Sequence, residues 1–422
     1  MSRLIFVNRF YAPDHSATSQ ILTDLCRQLA AEGRDVTVIA SAMRYDDPKA
    51  VLPREEVLDG VQVRRVATTR FGRGNVVGRL LDYLSFYVGT TLLLARVVRR
   101  GDVLVAKTDP PLISVPAALV ARIKGARLVN WLQDLYPEVA VAMGIGALRG
   151  PVGAVARGLR DWSLRGAERN VAIGDIMAER LAALGVEAKR IAVIPNWSGD
   201  SDIAPVAAEA NPLRAEWGYG ADAFVVAYSG NLGRAHEVET LLDAARRLAD
   251  RPDIRFLFIG GGHHQAMLAE RASADGIASI AFRPYQPRAQ LAQSLSVGDV
   301  HWLSLRPEFE GLIVPSKAFG IAAAARPILA VTDLDGEIAR MVRTHDCGLA
   351  VAPGNGTGLA VAIAELADDR ARCIAMGQRA RAMLDAGFTQ AHGFARFRAL
   401  FAEILEGGST VSGADGRDEA SH

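Results

Sequence analysis

Between Arg306 and Pro327 the chain carries a loop, Arg306-Pro-Glu-Phe-Glu-Gly-Leu-Ile-Val-Pro-Ser-Lys317, with a carboxylate and a glycine ahead of a helix start at Pro315-Ser316-Lys317. These residue types suit an anion beside a polyol. The Ser316 hydroxyl, the first free amides of the helix and the Lys317 ammonium can all face one phosphate, while Glu310 holds a neutral polyol next to it. A sugar nucleotide needs both kinds of group. A second candidate is Tyr228-Ser-Gly-Asn-Leu-Gly-Arg234, directly after a strand. There Gly230 and Gly233 permit a tight turn and close approach to a ligand, and Arg234 offers a planar fork for phosphate oxygens. Each feature also has a plain structural reading. Ser316 can be only an N-cap, Lys317 only a solvated first-turn cation, and a glycine-rich turn can simply pack a helix on a sheet. Gly260-Gly-Gly262 reads as a turn of that last kind.

Whatever these residues do, the elements around them must hold them in place. Short β-branched strands are expected at Leu4–Asn8, Val36–Ala40, Val61–Val66, Val103–Ala106, Leu128–Trp131, Val171–Ile173 and Ile191–Ile194. A second series is expected at Phe224–Ser229, Phe256–Ile259, Ile280–Phe282, Val300–Leu305, Ile328–Val331 and Leu349–Val351. Amphipathic helices fill the gaps, which is the pattern of parallel sheets covered on both faces. The fold class is therefore α/β, two doubly wound domains facing a cleft. The expected boundaries are 1–197 for the first domain, 198–211 for a linker, 212–385 for the second domain and 386–406 for a helix that can return to the first. Residues 407–422, rich in Gly, Ser and Asp, read as a disordered tail.

Composition narrows the function classes. In 422 residues, 48 Lys and Arg nearly balance 47 Asp and Glu, so no global field points to nucleic acid and an anion site must be local. The three cysteines are scattered with no paired spacing, which fits a reducing compartment without structural zinc. The N-terminus starts on a strand and lacks a signal-peptide layout, so a cytoplasmic location is expected. The stretch Leu80 to Val98 has the length and apolarity of a bilayer span but contains Asp82, Tyr83, Ser85 and Arg96. It reads as an amphipathic helix. Its flanks, Arg70, Arg73, Arg79, Arg99 and Arg100, suit peripheral contact with an anionic membrane surface.

The segments Phe10-Tyr-Ala-Pro-Asp-His-Ser-Ala-Thr18, Gly33-Arg-Asp-Val-Thr-Val38, Gln133-Asp-Leu-Tyr-Pro-Glu138, Tyr228-Ser-Gly-Asn-Leu-Gly233, Glu310-Gly311 and Pro315-Ser-Lys-Ala-Phe319 occur in that order. Together they resemble the family 4 retaining glycosyltransferases, most nearly the colanic-acid type of bacterial surface-polysaccharide assembly. The resemblance runs to about Phe401. It implies a GT-B fold, with a nucleotide-sugar donor held mainly by the C-terminal domain and an acceptor mainly by the N-terminal one. Carried onto this chain, diphosphate binding falls to Gly230, Asn231, Arg234 and Lys317 with Ser316 beside them. Donor-sugar contact falls to Glu310 and the Gly311 amide, and base contact to Arg283 and Tyr285. The chain departs from the family in lacking a carboxylate at Gly320, where a glutamate usually holds the ribose, and in offering His236 and Glu237 where a lysine often follows the glycine turn.

Acceptor-side candidates are Asp14, His15, Ser16, Thr18, Asp134 and Glu138. Asp134 follows a strand and would project at the carboxyl edge of the sheet; a helix N-cap or a salt bridge to Arg160 or Arg169 is its plain reading. No metal or other cofactor is expected. Asp333-Leu-Asp335 is read as a turn with an N-cap, not a cation chelate, and His263-His264 lacks companion ligands. The expected activity is transfer of a hexosyl or N-acetylhexosaminyl group from a nucleotide sugar to a lipid-linked or free saccharide, at the inner face of the cytoplasmic membrane. A GT-B-fold nucleotide-sugar epimerase and a non-catalytic nucleotide-sugar-binding subunit remain open alternatives.

Overall fold

The structure is a computed structural model that describes residues 2–14, 16–44, 47, 50–71, 76–197 and 203–407. His15, Arg73, residues 198–202 of the expected linker and residues 408–422 of the expected tail lie outside them.

The first half forms an eight-stranded sheet from β1 (Leu4–Val7), β2 (Val36–Ser41), β3 (Glu55–Leu58), β4 (Val61–Val66), β5 (Val103–Lys107), β6 (Arg127–Trp131), β7 (Arg169–Ala172) and β8 (Ile191–Val193). Its order is β3-β4-β2-β1-β5-β6-β7-β8. All pairings are parallel except β3 with β4, a hairpin whose turn places Asp59 and Gly60 at positive φ. Sequence reasoning passed over β3 because it is an edge strand of alternating exposure, Glu-Glu-Val-Leu, with little apolar content to mark it. The second sheet is wholly parallel. It contains β9 (Phe224–Asn231), β10 (Ile254–Gly261), β11 (Ile280–Arg283), β12 (Val300–Ser304), β13 (Ile328–Val331) and β14 (Gly348–Val351), in the order β11-β10-β9-β12-β13-β14.

Each sheet has one point where the strand order reverses, between β1 and β5 in the first and between β9 and β12 in the second. Helices leave such a point in opposite directions, so a crevice opens beyond the carboxyl ends of the two strands. Both candidate regions lie at these crevices. Arg9 and Asp109 follow β1 and β5, and Gly230 and Leu305 lie at the ends of β9 and β12.

Two features tie the halves together. The last helix, Gln390–Gly407, returns to the first domain and buries Phe397, Leu400, Phe401 and Ile404 in its core, with Phe397 4.6 Å from the Trp131 ring. Upstream, Ile203 is already buried among Leu303, Phe319 and Ala322 of the second domain, so the described part of the expected linker, 203–211, packs with that domain. A mixed core of Leu132, Leu135, Val139, Leu305, Phe309 and Leu312 closes the seam, where the Leu135 amide donates to the Leu312 carbonyl at 2.9 Å.

Candidate functional site

At the end of β9, Gly230 turns at φ +127°. A β-carbon there would come within 2.7 Å of Lys317 Cε, so only glycine lets the lysine stem cross the turn. Gly260 and Gly262, at φ +128° and +130°, are equally constrained: a β-carbon on Gly260 would strike the Gly230 carbonyl, and one on Gly262 the Leu232 amide. The glycine run at the end of β10 is therefore more than the plain turn expected of it. It lets the β9 turn nest against its neighbour, with the Leu232 amide donating to the Gly261 carbonyl at 2.7 Å.

Lys317 begins the helix Lys317–Ala323, with its ammonium 5.5 Å from the Tyr228 ring centre. Among the described residues it has no carboxylate partner, and burial pulls its pKa from 10.5 down to about 8. Arg234 is exposed on the same turn, and Asn231 is exposed at its start. Arg306, paired with Glu308, donates to the Arg234 carbonyl at 3.4 Å. Ser316 is exposed and makes no side-chain cap bond, so the N-cap reading of its hydroxyl does not hold.

Beneath the turn lies His236, which sequence reasoning left without a role. Its Nδ1–H donates to the Ser304 carbonyl at 2.8 Å, and its Nε2 lies 3.1 Å from the Tyr228 hydroxyl. A carbonyl only accepts, which fixes the tautomer. Burial, then the Lys317 charge, lowers its pKa to about 4, so the ring is neutral and pins the turn across the β9/β12 crevice. The Glu237 carboxylate accepts from the Glu239 amide at 2.8 Å and caps the helix Glu239–Arg247.

Three donor-side residues are engaged within the protein itself. Glu310 is buried and uses both oxygens internally: Oε1 accepts from the Glu337 amide at 2.7 Å and Oε2 from the Thr332 hydroxyl at 3.1 Å. Its place at the start of helix Glu337–His345 makes it a helix cap in this arrangement. Gly311, at φ +68°, faces the first domain, where a β-carbon would meet Arg180 Nε at 2.6 Å and Ile176 Cγ2 at 2.7 Å. The seam continues through Glu337, whose Oε2 accepts from the Ile176 amide at 2.9 Å. Arg283 bonds its guanidinium to the Phe282 carbonyl at 3.0 Å and lies 5.6 Å over the Trp217 ring, so its side chain packs on that ring. Tyr285, by contrast, lies against Gly260 and Gly261 while remaining 60% exposed.

The edge of the first sheet carries two carboxylates, Asp109 and Asp134, beside the buried cations Arg9 and Lys107. Asp134 lines a small cavity with Thr108, Ser114 and Tyr136. Burial, then the neighbouring Asp109, raises its pKa to about 7, and among the described residues it has no cation partner. The Arg160 salt bridge read as an alternative for Asp134 belongs to Glu138, whose oxygens accept from Arg160 at 2.8 and 3.0 Å. Asp14 is buried and accepts from the Ser16 amide at 2.8 Å, so it shapes the 14–18 loop. The Ser16 hydroxyl is buried without a partner among the described residues, and Thr18 gives its carbonyl to Lys107 Nζ at 3.0 Å. Lys107 is fully buried, sits 3.8 Å over the Trp131 ring, and has its pKa lowered to about 7 by burial. Neither Lys107 nor Asp109 was among the sequence candidates. Both follow from β5 lying beside β1 and β6, which no single segment reveals.

Comparison with known proteins bears on this geometry. Residues 17–197 match the glycosyl transferase 4-like domain and residues 223–369 the glycosyl transferases group 1 model. The chain is 26% identical over 371 residues to WbjE of Pseudomonas aeruginosa, named as a glycosyltransferase, covering 87% of this chain and 90% of WbjE. It is 26% identical over 352 residues to WcaI of Escherichia coli K12, named for colanic acid biosynthesis, covering 81% and 86%. Among solved structures it is similar to the sucrose-phosphate synthase of Thermosynechococcus elongatus, with a TM-score of 0.76 at 16% identity over 96% of this chain and 100% of that one. HepE of Anabaena, solved with UDP and glucose, gives 0.68 at 17% identity over 95% and 100%.

Proposed function

The chain belongs to the GT-B glycosyltransferases of the family 4 type, and from that premise we propose how it divides the work. The second domain holds a nucleotide sugar at the β9/β12 crevice, and the first presents a lipid-linked saccharide at the β1/β5 crevice. The group moved is a hexosyl or N-acetylhexosaminyl unit, and the product keeps the anomeric configuration of the donor.

The observation that carries this reading is the desolvated ammonium of Lys317, without a carboxylate partner among the described residues and crossing Gly230 with Arg234 on the same turn. Breaking the bond between the anomeric carbon and the diphosphate oxygen puts positive charge on the ring and negative charge on the leaving group. A buried cation in place before the reaction stabilises that negative charge without reorganisation. Binding of the diphosphate in turn restores the charge that burial disfavours. The acceptor hydroxyl then attacks from the leaving-group face, its oxygen bonding to the anomeric carbon while its proton passes to the departing phosphate. Asp134 orients that hydroxyl. The exposed face of Tyr285 suits the base, and UDP-sugars are the first donors to try, given the nucleotide with which HepE was solved.

The test combines a thermal-shift screen of UDP-, GDP- and dTDP-sugars with a turnover assay, with and without a membrane-lipid extract as acceptor. One nucleotide sugar is expected to raise the melting temperature as mass action requires and to be consumed only with acceptor. Conversion of the donor to an isomer without acceptor would instead support the epimerase. Binding without turnover across the panel would support the non-catalytic subunit, and no shift with any donor would remove the donor site.

A further inference from the structure

The helix Val76–Val97 is by length and composition apolar enough to cross a membrane, yet it has two distinct faces. Phe86, Leu94 and Val97 are buried against the sheet, as are the polar Asp82 and Thr90. Val77, Leu80, Leu84, Val88 and Leu92, spaced at helical intervals, each remain more than half exposed. The neighbouring helices Ser114–Lys124 and Pro151–Gly166 extend that surface with Leu119 and Ile123 from one and Val152, Val155, Leu159 and Trp162 from the other. Scattered apolar residues would need no explanation; a stripe spread over three packed helices does.

Between these helices lies a groove of about 700 Å³ lined by Tyr87, Thr91, Val115, Leu119, Leu159 and Trp162. That volume falls in the ordinary range of small-molecule sites. Leu112 lines both this groove and the cavity holding Asp134. Leu112 adopts φ +60°, a conformation that costs energy for a side-chain-bearing residue, and the carbonyl before it, Pro111, accepts from the Tyr87 hydroxyl.

The charges of this face are one-sided. The carboxylates on the three helices are Asp82, which is buried, and Asp161, which is paired with Arg160 at 2.6 Å. Arg96, Arg99, Arg100 and Arg122 are exposed where two of the helices end together; the Gly101 amide donates to the Gly125 carbonyl there, and the Arg100 stem packs on Gly125. In a chain whose charges otherwise balance, cations around an apolar face complement phosphates above hydrocarbon.

We infer that this groove holds the hydrocarbon chain of the acceptor lipid, with the head group turned past Leu112 toward Asp134 and the surrounding face resting on an anionic bilayer. The inference rests on the lipid-linked acceptor proposed above. A protein partner would cover the stripe without accounting for a groove that shares Leu112 with the Asp134 cavity.

The experiment titrates the full-length protein with geranylgeranyl phosphate and geranyl phosphate by calorimetry, following tryptophan emission alongside. The longer chain is expected to bind about tenfold tighter or more, since each additional buried methylene contributes. Thr91→Trp and Leu119→Arg, which fill or charge the groove, are expected to remove that preference while the melting temperature holds. Trp162→Phe should abolish the emission change and keep the affinity within about threefold. Transfer of labelled sugar from the donor to a membrane-lipid extract is measured with the same proteins, and should fall in the groove variants. Unchanged binding in those variants, or no preference for the longer chain, overturns the groove, whereas continued transfer to lipid would uphold the acceptor class. Groove-dependent binding with label only in water-soluble saccharide overturns the acceptor lipid as occupant and the lipid-linked reading together.

Discussion

At the carboxyl edge of the six-stranded sheet the groups around the crevice are the cations Lys317, Arg234 and Arg306, while the matching edge of the eight-stranded sheet presents Asp109 and Asp134 among tyrosines. Both lie where the strand order reverses, but the six-stranded sheet carries cations while the eight-stranded one sets two carboxylates beside the buried Arg9 and Lys107. One edge is prepared for a group that becomes more negative as a bond breaks, the other for hydroxyls that donate hydrogen bonds. Burial acts on both in the same way. It moves the Lys317 pKa down to about 8 and the Asp134 pKa up to about 7, so each charged form is disfavoured until a ligand compensates it.

The comparison breaks most severely at Lys317. Lys317→Ala is expected to lower kcat/KM by about 10- to 150-fold, the range for losing a hydrogen bond to a charged group. The melting temperature should hold or rise, because a desolvated cation has been removed. In the wild type, donor affinity should weaken as the pH rises through about 8 and the free enzyme loses the Lys317 proton. The stability cost of Lys317 runs the other way: it is full below about 8 and disappears toward 10.5, because the unfolded chain binds the proton more tightly across that window. A pH series of donor titrations on both proteins checks this, and Lys317→Ala should flatten the profile. A variant with wild-type kinetics would mean that the two edges do not differ in function as their charges suggest.

A smaller effect is expected on the side of the two carboxylates. Asp134→Asn should reduce turnover by about tenfold while leaving donor affinity unchanged, since the carboxylate faces the acceptor crevice. The same change should raise the melting temperature by about 2–4 °C at pH 8. A carboxyl whose folded pKa is raised binds its proton more tightly in the native state, so stability is lost as the pH climbs from 3.8 through about 7. The gain from Asn is therefore largest above that window and shrinks as the pH approaches 4. Equal stabilisation at both pH values would show that Asp134 is not a desolvated, ionisable group.

The donor edge was the more legible of the two for a physical reason. Its glycine turn and its Pro-Ser-Lys segment are each contiguous, so residue type and order carry the message. The acceptor edge is assembled from the ends of strands far apart in the chain, and Lys107 and Asp109 gain meaning only once β5 is known to lie between β1 and β6. His236 escaped for the same reason, since its partner Ser304 ends a strand 68 residues away. Both sheets were readable from their apolar strands, while β3 was hidden by its exposed, charged edge. Glu310 and Gly311 mark the opposite limit. Their types fit a sugar site, but a buried carboxylate serves equally well to cap a helix, and the sequence does not say which helix start lies within reach.

The finest test concerns two residues assigned to the base together, Arg283 and Tyr285. They are separated by one proline, so the sequence gives no reason to rank them, but the structure directs their side chains differently. The Arg283 guanidinium lies over Trp217, whereas the Tyr285 ring lies on Gly260 and Gly261 and is 60% exposed. A stacked base would therefore lose contact with one change and not the other. Tyr285→Ala is expected to weaken nucleoside diphosphate binding by up to about tenfold, the worth of one aromatic contact, and Arg283→Ala by less than about twofold. Calorimetric titration with UDP and GDP measures both. If Arg283→Ala costs more than Tyr285→Ala, the guanidinium leaves Trp217 to reach the phosphates, and the cationic edge of the second domain extends one strand further than its present contacts allow.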